Sequence, residues 1–103
     1  YGSPYAAAKG GLTMMTRSLA LELTPSNVRV NAICPGTVAT PLVDAVAATF
    51  PSDLEPRLME RIFGMLPGPP ITPAGLGSAI VYLASKEARM ITGAVLAFDA
   101  GMS

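Results

Sequence analysis

Two short apolar segments constrain the fold of this chain most, because each follows a segment with helical periodicity. Residues 28–33 are mostly apolar and β-branched, and residues 94–98 are apolar throughout, as buried strands of a parallel sheet are. The resulting order of helix, strand, helix, strand is typical of an α/β fold whose parallel strands are joined by a right-handed crossover.

The predicted helices cover residues 4–23 and 72–85. Each begins with a capping residue followed by proline, Ser3-Pro4 in the first and Thr72-Pro73 in the second. Each also has an apolar stripe at steps of three and four residues. The stripes consist of Leu12, Met15, Leu19 and Leu23, and of Leu76, Ile80 and Leu83.

Two strands make a poor sheet, because parallel strands need cover on both faces and this chain supplies too few elements to provide it. A length of 103 residues allows one domain at most. We therefore expect residues 1–103 to be part of a larger domain whose amino-terminal half is absent from this sequence.

The charge balance and residue usage argue against several classes of function. Seven basic residues offset seven acidic ones, which argues against a nucleic-acid surface or a polybasic membrane patch. No apolar run approaches the ~18 residues of a membrane span, and no signal-peptide pattern is present. Because the sequence has one cysteine, Cys34, and no histidine, it cannot form an internal disulfide or a cysteine metal cluster, and it has no histidine to activate a nucleophile. These features favour a cytoplasmic protein without a metal site, with Cys34 as a buried structural thiol.

Tyr5 and Lys9 form the most informative pair of polar side chains. Residues four apart on a helix are neighbours, with Cβ atoms roughly 5–6 Å apart. A cation roughly 4 Å from the phenolic oxygen, at an effective dielectric constant of about 20, favours the phenolate by about 4 kcal/mol. The pair could therefore act as a general acid/base and its electrostatic activator. The alternative is a surface aromatic residue beside a solvated lysine.

Three motifs in the right order resemble the carboxy-terminal part of a classical short-chain dehydrogenase/reductase. Residues 5–9, Tyr-Ala-Ala-Ala-Lys, are similar to the family's Tyr-x-x-x-Lys active-site helix. Residues 28–41 resemble its strand-to-loop segment with Pro-Gly-x-Val-x-Thr-Pro, and residues 91–101 resemble its final strand, commonly Thr-Gly-x-x-Leu-x-Val-Asp-Gly-Gly. The resemblance implies the carboxy-terminal portion of a Rossmann-type doubly wound parallel sheet that binds NAD or NADP.

The resemblance also implies roles for individual residues. Tyr5 would be the general acid/base and would also contact the cofactor, and Lys9 would activate Tyr5 and hydrogen-bond the nicotinamide ribose. The remaining cofactor contacts would come from the loop after the first strand. In this loop Pro35 and Gly36 turn the backbone, Val38 meets the nicotinamide carboxamide through main-chain groups, and Thr40 adds a side-chain contact. An ordinary strand-ending turn and a helix N-cap at Thr40 are the structural alternatives.

Parts of the family pattern lie outside this sequence or differ from it. The catalytic serine and the glycine-rich pyrophosphate turn would precede Tyr1, and Ser3 is expected to be a helix cap and not a substitute for that serine. Ala100 stands where the family usually has glycine, which puts a terminal turn in doubt. Gly75 and Gly77 weaken the second helix by about 1 kcal/mol each.

The segment after the cofactor loop corresponds to the family's substrate-covering lid, with short helices expected at residues 42–50 and 54–65. Its apolar residues are Val43, Val46, Phe50, Leu58, Met59, Ile62, Phe63 and Met65. They fit either a lid over a small hydrophobic alcohol or ketone, or simple packing of the two helices.

Two functions therefore compete. The first is an NAD(P)-dependent oxidoreductase that interconverts an alcohol and a carbonyl, as a homotetramer or homodimer by analogy with the family. The second is a truncated, non-catalytic product that persists as an oligomerisation or interaction module. An unrelated small α/β binding protein would need three ordered motif matches by accident.

Overall fold

The computed structural model describes residues 2–49, 53 and 69–102 of the chain. The elements in these ranges are α1 (Ser3–Leu23), a 3-10 turn (Thr24–Ser26), β1 (Ala32–Pro35), α2 (Pro41–Ala47), α3 (Pro73–Ala84) and β2 (Val95–Phe98). The predicted order of helix, strand, helix, strand is confirmed, with the short α2 between β1 and α3. The helix expected at residues 54–65 lies outside the described residues.

β1 and β2 pair as a two-stranded parallel sheet. Ala32 N–H donates to the Ala94 carbonyl at 2.9 Å, and Gly36 N–H donates to the Phe98 carbonyl at 3.1 Å. Because donor and acceptor both advance in the same direction along their strands, the two strands run parallel. The predicted α/β class with a small parallel sheet is confirmed.

The beginning of β1 differs from the prediction. The apolar pattern predicts a strand from residue 28, whereas β1 begins at Ala32. Val30 N–H donates to Thr92 Oγ1 at 3.2 Å, and Ala94 N–H donates to Asn31 Oδ1 at 3.0 Å. Side chains thus occupy the main-chain donors that a longer strand pairing would use, which is why the strand starts late.

The N-cap predicted for α1 is also wrong. Gly2 occupies the cap position and Ser3 is the first helical residue, and no side chain caps this end. The Gly2 carbonyl accepts the first helical hydrogen bond, from Ala6 N–H at 2.8 Å. Pro4 lies in the first turn as predicted, where a missing donor costs nothing.

The predicted start of α3 is confirmed. Gly75 N–H donates to Thr72 Oγ1 at 3.1 Å, and Leu76 N–H donates to the Thr72 carbonyl at 3.0 Å. Thr72 therefore accepts hydrogen bonds from two amides of the first turn of α3. Pro73 follows it at the first position of the helix, where a missing N–H costs nothing.

The chain divides into two compact units, one of Tyr1–Ile33 with Val81–Leu96 and the other of Cys34–Ile80 with Ala97–Ser103. The buried residues of the described chain, Thr16, Ala20 and Ala88, all belong to the first unit. The stripe predicted for α1 is only partly buried, since Leu12 is 46% and Met15 51% exposed. None of the helices described has the length and apolar character needed to cross a membrane.

Candidate active site

Tyr5 and Lys9 lie one turn apart near the start of α1. Lys9 Nζ is 5.5 Å from the centroid of the Tyr5 ring, within the distance of a cation–π contact. The tyrosine side chain is 70% exposed, so solutes can reach the phenolic group. The two side chains are thus neighbours, as their spacing predicts. The Lys9 ammonium group contacts the face of the Tyr5 ring.

This pair combines two complementary chemical groups. A phenol can donate or accept a hydrogen bond, whereas an ammonium group only donates. The pair therefore places a group that can exchange a proton beside a positive charge. Ser3, the first residue of the same helix, makes no capping bond there.

Gly36 lies where the backbone at the end of β1 passes very close to the residue after β2. A Cβ atom at this position would lie 2.9 Å from Asp99 Cα and 3.1 Å from the Asp99 carbonyl oxygen. Main-chain atoms cannot move aside as a flexible side chain can, so only glycine fits here. Pro35, the last residue of β1, has no N–H to extend the strand pairing.

Val38 forms an isolated parallel bridge with Ile71. The hydrogen bond of this bridge is donated by the next residue, Ala39, whose N–H lies 2.8 Å from the Ile71 carbonyl oxygen. Successive residues of an extended chain direct their polar groups to opposite sides. The N–H and C=O of Val38 are therefore directed away from Ile71.

Thr40 occupies the N-cap position of α2, with φ −145° and ψ 156°. Its carbonyl accepts from Val43 N–H at 2.9 Å, but its side chain makes no capping hydrogen bond. The N-cap alternative is thus correct for the backbone only. The hydroxyl is not used by the helix that it precedes.

The predicted site residues fall into two groups, each described within its own unit. Tyr5 and Lys9 belong to α1, and the others belong to the segment that ends β1 and begins α2, namely Pro35, Gly36, Val38 and Thr40. Cys34, predicted to be buried, is only partly buried in β1.

Only two of the apolar residues predicted for the lid are described. Val43 is half-buried and Val46 is 45% exposed, both in α2. The other predicted lid residues, Phe50, Leu58, Met59, Ile62, Phe63 and Met65, lie outside the described residues.

The sequence reasoning missed three side chains that connect distant parts of the first unit. Arg29 Nη1 and Asn31 Nδ2 both donate to the Ile91 carbonyl, at 3.1 and 2.9 Å, and Thr92 accepts from Val30 N–H. A signal was present, because Arg29 and Asn31 alternate with apolar residues in a segment predicted to be a buried strand. Polar side chains in such a segment need specific partners.

Comparison with known proteins gives consistent matches over the whole chain. A family model described as enoyl-(acyl carrier protein) reductase matches residues 1–103. The short-chain reductase protein NovJ of Streptomyces niveus is 39% identical over 94% of this chain and 37% of its own length. The (-)-trans-carveol dehydrogenase of Rhodococcus erythropolis is 39% identical over 96% of this chain and 39% of its own length.

Solved structures give the same result. A 4-hydroxyisoleucine dehydrogenase complexed with NADH has a TM-score of 0.79 and 31% identity, over 98% of this chain and 40% of its own. A carveol dehydrogenase from Mycobacterium avium in complex with NAD has a TM-score of 0.79 and 37% identity, over 95% of this chain and 38% of its own. The chain thus spans about two fifths of the length of the proteins that it matches.

Proposed function

The chain belongs to the short-chain dehydrogenase/reductase family, and we propose that it is part of an NAD(P)-dependent oxidoreductase that interconverts an alcohol and a carbonyl. The observation that carries this proposal is the Tyr5–Lys9 pair, with Lys9 Nζ 5.5 Å from the ring centroid of an exposed tyrosine. In this family's terms, the pair is the general acid/base and its activator.

The proton transfer is assigned to Tyr5. In the direction of alcohol oxidation its phenolate takes the hydroxyl proton, and in the direction of reduction its phenol returns a proton to the alkoxide. Lys9 stabilises the phenolate electrostatically and is proposed to hydrogen-bond the nicotinamide ribose. The nicotinamide, when bound, accepts or supplies the hydride.

The loop after β1 has features that fit a nicotinamide cofactor. The N–H and C=O of Val38 are directed away from the Ile71 bridge, so they can pair with a carboxamide. The Thr40 hydroxyl is left unused by α2 and can add a side-chain contact. Pro35 and Gly36 set the direction of this loop. The similar solved structures are complexes with NADH and NAD, which supports the same cofactor class.

A small hydrophobic alcohol or ketone is the proposed substrate class. The name of the relative from Rhodococcus erythropolis, a carveol dehydrogenase, supports it, as does the apolar character of Val43 and Val46 in α2. We further propose a cytoplasmic homotetramer or homodimer without nucleic-acid or membrane partners.

Substitution of Tyr5 by phenylalanine in the complete protein tests the catalytic assignment. The variant keeps the ring beneath Lys9 but has no proton to exchange, so kcat should fall by roughly 10²- to 10⁴-fold. The Kd for NAD or NADP, measured by fluorescence titration, should change little. Tyr82→Phe is the matched control, because Tyr82 is half-exposed on α3 and has no assigned role. Turnover that survives in Tyr5→Phe would refute the role of Tyr5.

An interaction module without catalysis is the second candidate. Its supporting observation is the exposure of large apolar side chains, for example Leu21 at 78%, Val81 at 69% and Met90 at 85%. A relative 38% identical to this chain is named an inactive 2-(S)-hydroxypropyl-CoM dehydrogenase, from Xanthobacter autotrophicus. Absence of cofactor binding together with concentration-dependent association would favour this candidate over the enzyme.

A further inference from the structure

We infer that Asn31 and Thr92 are positioning residues for Tyr5. Their side chains end the pairing of β1 with β2 at a bulge, and this bulge supports α1, the helix that carries Tyr5. This inference rests on the proposed function, because it takes Tyr5 to act in the chemical step.

The hydrogen bonds locate the bulge. In the regular part of the sheet the N–H groups of Ala32 and Gly36 each bond the carbonyl 62 residues later, those of Ala94 and Phe98. Continued at the same spacing, the ladder would pair Val30 N–H with the Thr92 carbonyl, and Ala94 N–H with the Val30 carbonyl.

Neither of these two main-chain bonds is made. Val30 N–H donates to the Thr92 hydroxyl at 3.2 Å, and Ala94 N–H donates to Asn31 Oδ1 at 3.0 Å. The Val30 carbonyl instead accepts from Gly93 N–H at 2.7 Å, one residue earlier than the ladder requires. The segment before β2 therefore contains one extra residue relative to its partner, which is the definition of a bulge.

The bulge residue is Gly93, and it lies against α1. Its φ of +72° is in the left-handed region that favours glycine, and a Cβ there would lie 3.4 Å from Ala20 Cβ. Ala20 is only 3% exposed and belongs to α1. The bulge thus forms part of the surface on which α1 rests.

The Ile91 carbonyl, just before the bulge, accepts from two side chains of the neighbouring segment. Ile91 O accepts from Asn31 Nδ2 at 2.9 Å and from Arg29 Nη1 at 3.1 Å. The Asn31 amide therefore spans the bulge, since its nitrogen holds residue 91 and its oxygen holds residue 94. An amide has the donor and acceptor that this requires, and a hydrophobic side chain of the same size has neither.

A shift of α1 would affect the chemistry more than cofactor affinity. The proposed proton transfer depends on the position of Tyr5, and a displacement of about 1 Å can cost on the order of 10²-fold in rate. Of the proposed cofactor contacts, that of Lys9 would move with α1, whereas those of Val38 and Thr40 belong to the other unit and are not part of this hydrogen-bond network.

The experiment compares Thr92→Val with Thr92→Ser in the complete protein, because valine removes the hydroxyl at nearly constant shape and serine keeps it. Hydrogen exchange by NMR should show the Val30 amide exchanging roughly tenfold faster in Thr92→Val and unchanged in Thr92→Ser. The kcat of Thr92→Val should fall by about tenfold while KM for NAD or NADP stays within about twofold. Asn31→Ala should deprotect the Ala94 amide and give the same division between kcat and KM.

Two results would overturn the inference. One is an equal loss of kcat in Thr92→Ser and Thr92→Val, which would show that the hydroxyl is not the cause. The other is faster exchange of the Val30 and Ala94 amides with an unchanged kcat, which would leave these side chains a structural role alone. If the unsubstituted protein has no nicotinamide-dependent turnover, the proposed function is wrong. Unchanged exchange of the Val30 and Ala94 amides in the variants would separately refute the role of these side chains in the bulge.

Discussion

Ala100 has a backbone conformation that its side chain disfavours. Its φ is 55°, in the turn that follows β2, where Asp99 Oδ1 accepts from Gly101 N–H at 3.0 Å. An L-residue other than glycine costs roughly 1–2 kcal/mol in this region, because Cβ approaches the following carbonyl oxygen. The turn that the alanine put in doubt thus forms, but with strain at this position.

Replacing Ala100 by glycine should stabilise the protein. Relief of the strain exceeds the entropy that glycine adds to the unfolded chain, so we expect the free energy of unfolding to rise by about 0.5–1 kcal/mol. Chemical denaturation measures it. Ala48→Gly is the control, because Ala48 has a helical φ of −66° and should lose stability on the same change. A destabilised Ala100→Gly variant would contradict the strain argument.

At the scale of an element, the two glycines of α3 differ in their surroundings. The sequence indicates only that both weaken the helix. In the structure a Cβ at Gly75 would lie 3.3 Å from Thr72 Oγ1, the atom that caps the helix by accepting from Gly75 N–H. No described atom lies within 4 Å of a Cβ at Gly77. Gly75 is thus explained by its close contact with the cap, and nothing in the described chain explains Gly77.

Alanine substitution separates these two positions. Gly77→Ala should raise the free energy of unfolding by about 1 kcal/mol, the difference in helix propensity. Gly75→Ala should gain less, because the cap must move by a few tenths of an ångström. Thermal unfolding of both variants in the complete protein measures the difference. A larger gain at Gly75 than at Gly77 would show that the cap contact does not matter.

The elements show which information the sequence contains locally. Helix and strand periodicity, and the cap at Thr72, depend on neighbouring residues, so the order of the elements and the start of α3 could be predicted. The start of β1 could not, because it depends on hydrogen bonds of the Asn31 and Thr92 side chains, whose partners lie about 60 residues away in the sequence. Among the site residues, spacing placed Lys9 beside Tyr5. Only the structure shows that Thr40 lacks a side-chain capping bond.

At the scale of the whole molecule, the described chain leaves many large apolar side chains uncovered. Besides Leu21, Val81 and Met90, these include Met14 at 60% and Ile80 at 54% exposure. The largest buried side chains of the described part are those of threonine and alanine, so its core is small. Apolar surface of this extent generally indicates contact with further protein.

Further polypeptide is the cover that we expect. The chain matches 37–43% of the length of relatives such as NovJ and the inactive Xanthobacter dehydrogenase, and the predicted catalytic serine and glycine-rich turn would precede Tyr1. The intact mass of the protein isolated from its source should therefore exceed twice 10.6 kDa. Light scattering on the same sample should show a dimer or tetramer of that mass.

A mass of 10.6 kDa would have the opposite meaning. Tyr5 and Lys9 would then lack a dinucleotide-binding half in their own chain, and the apolar side chains would have to be covered by other subunits. In that case Tyr5→Phe should leave association unchanged, while substitution of Leu21 by serine should weaken it. Leu21 is 78% exposed on α1, so its loss costs little in the core and removes apolar area from a subunit interface.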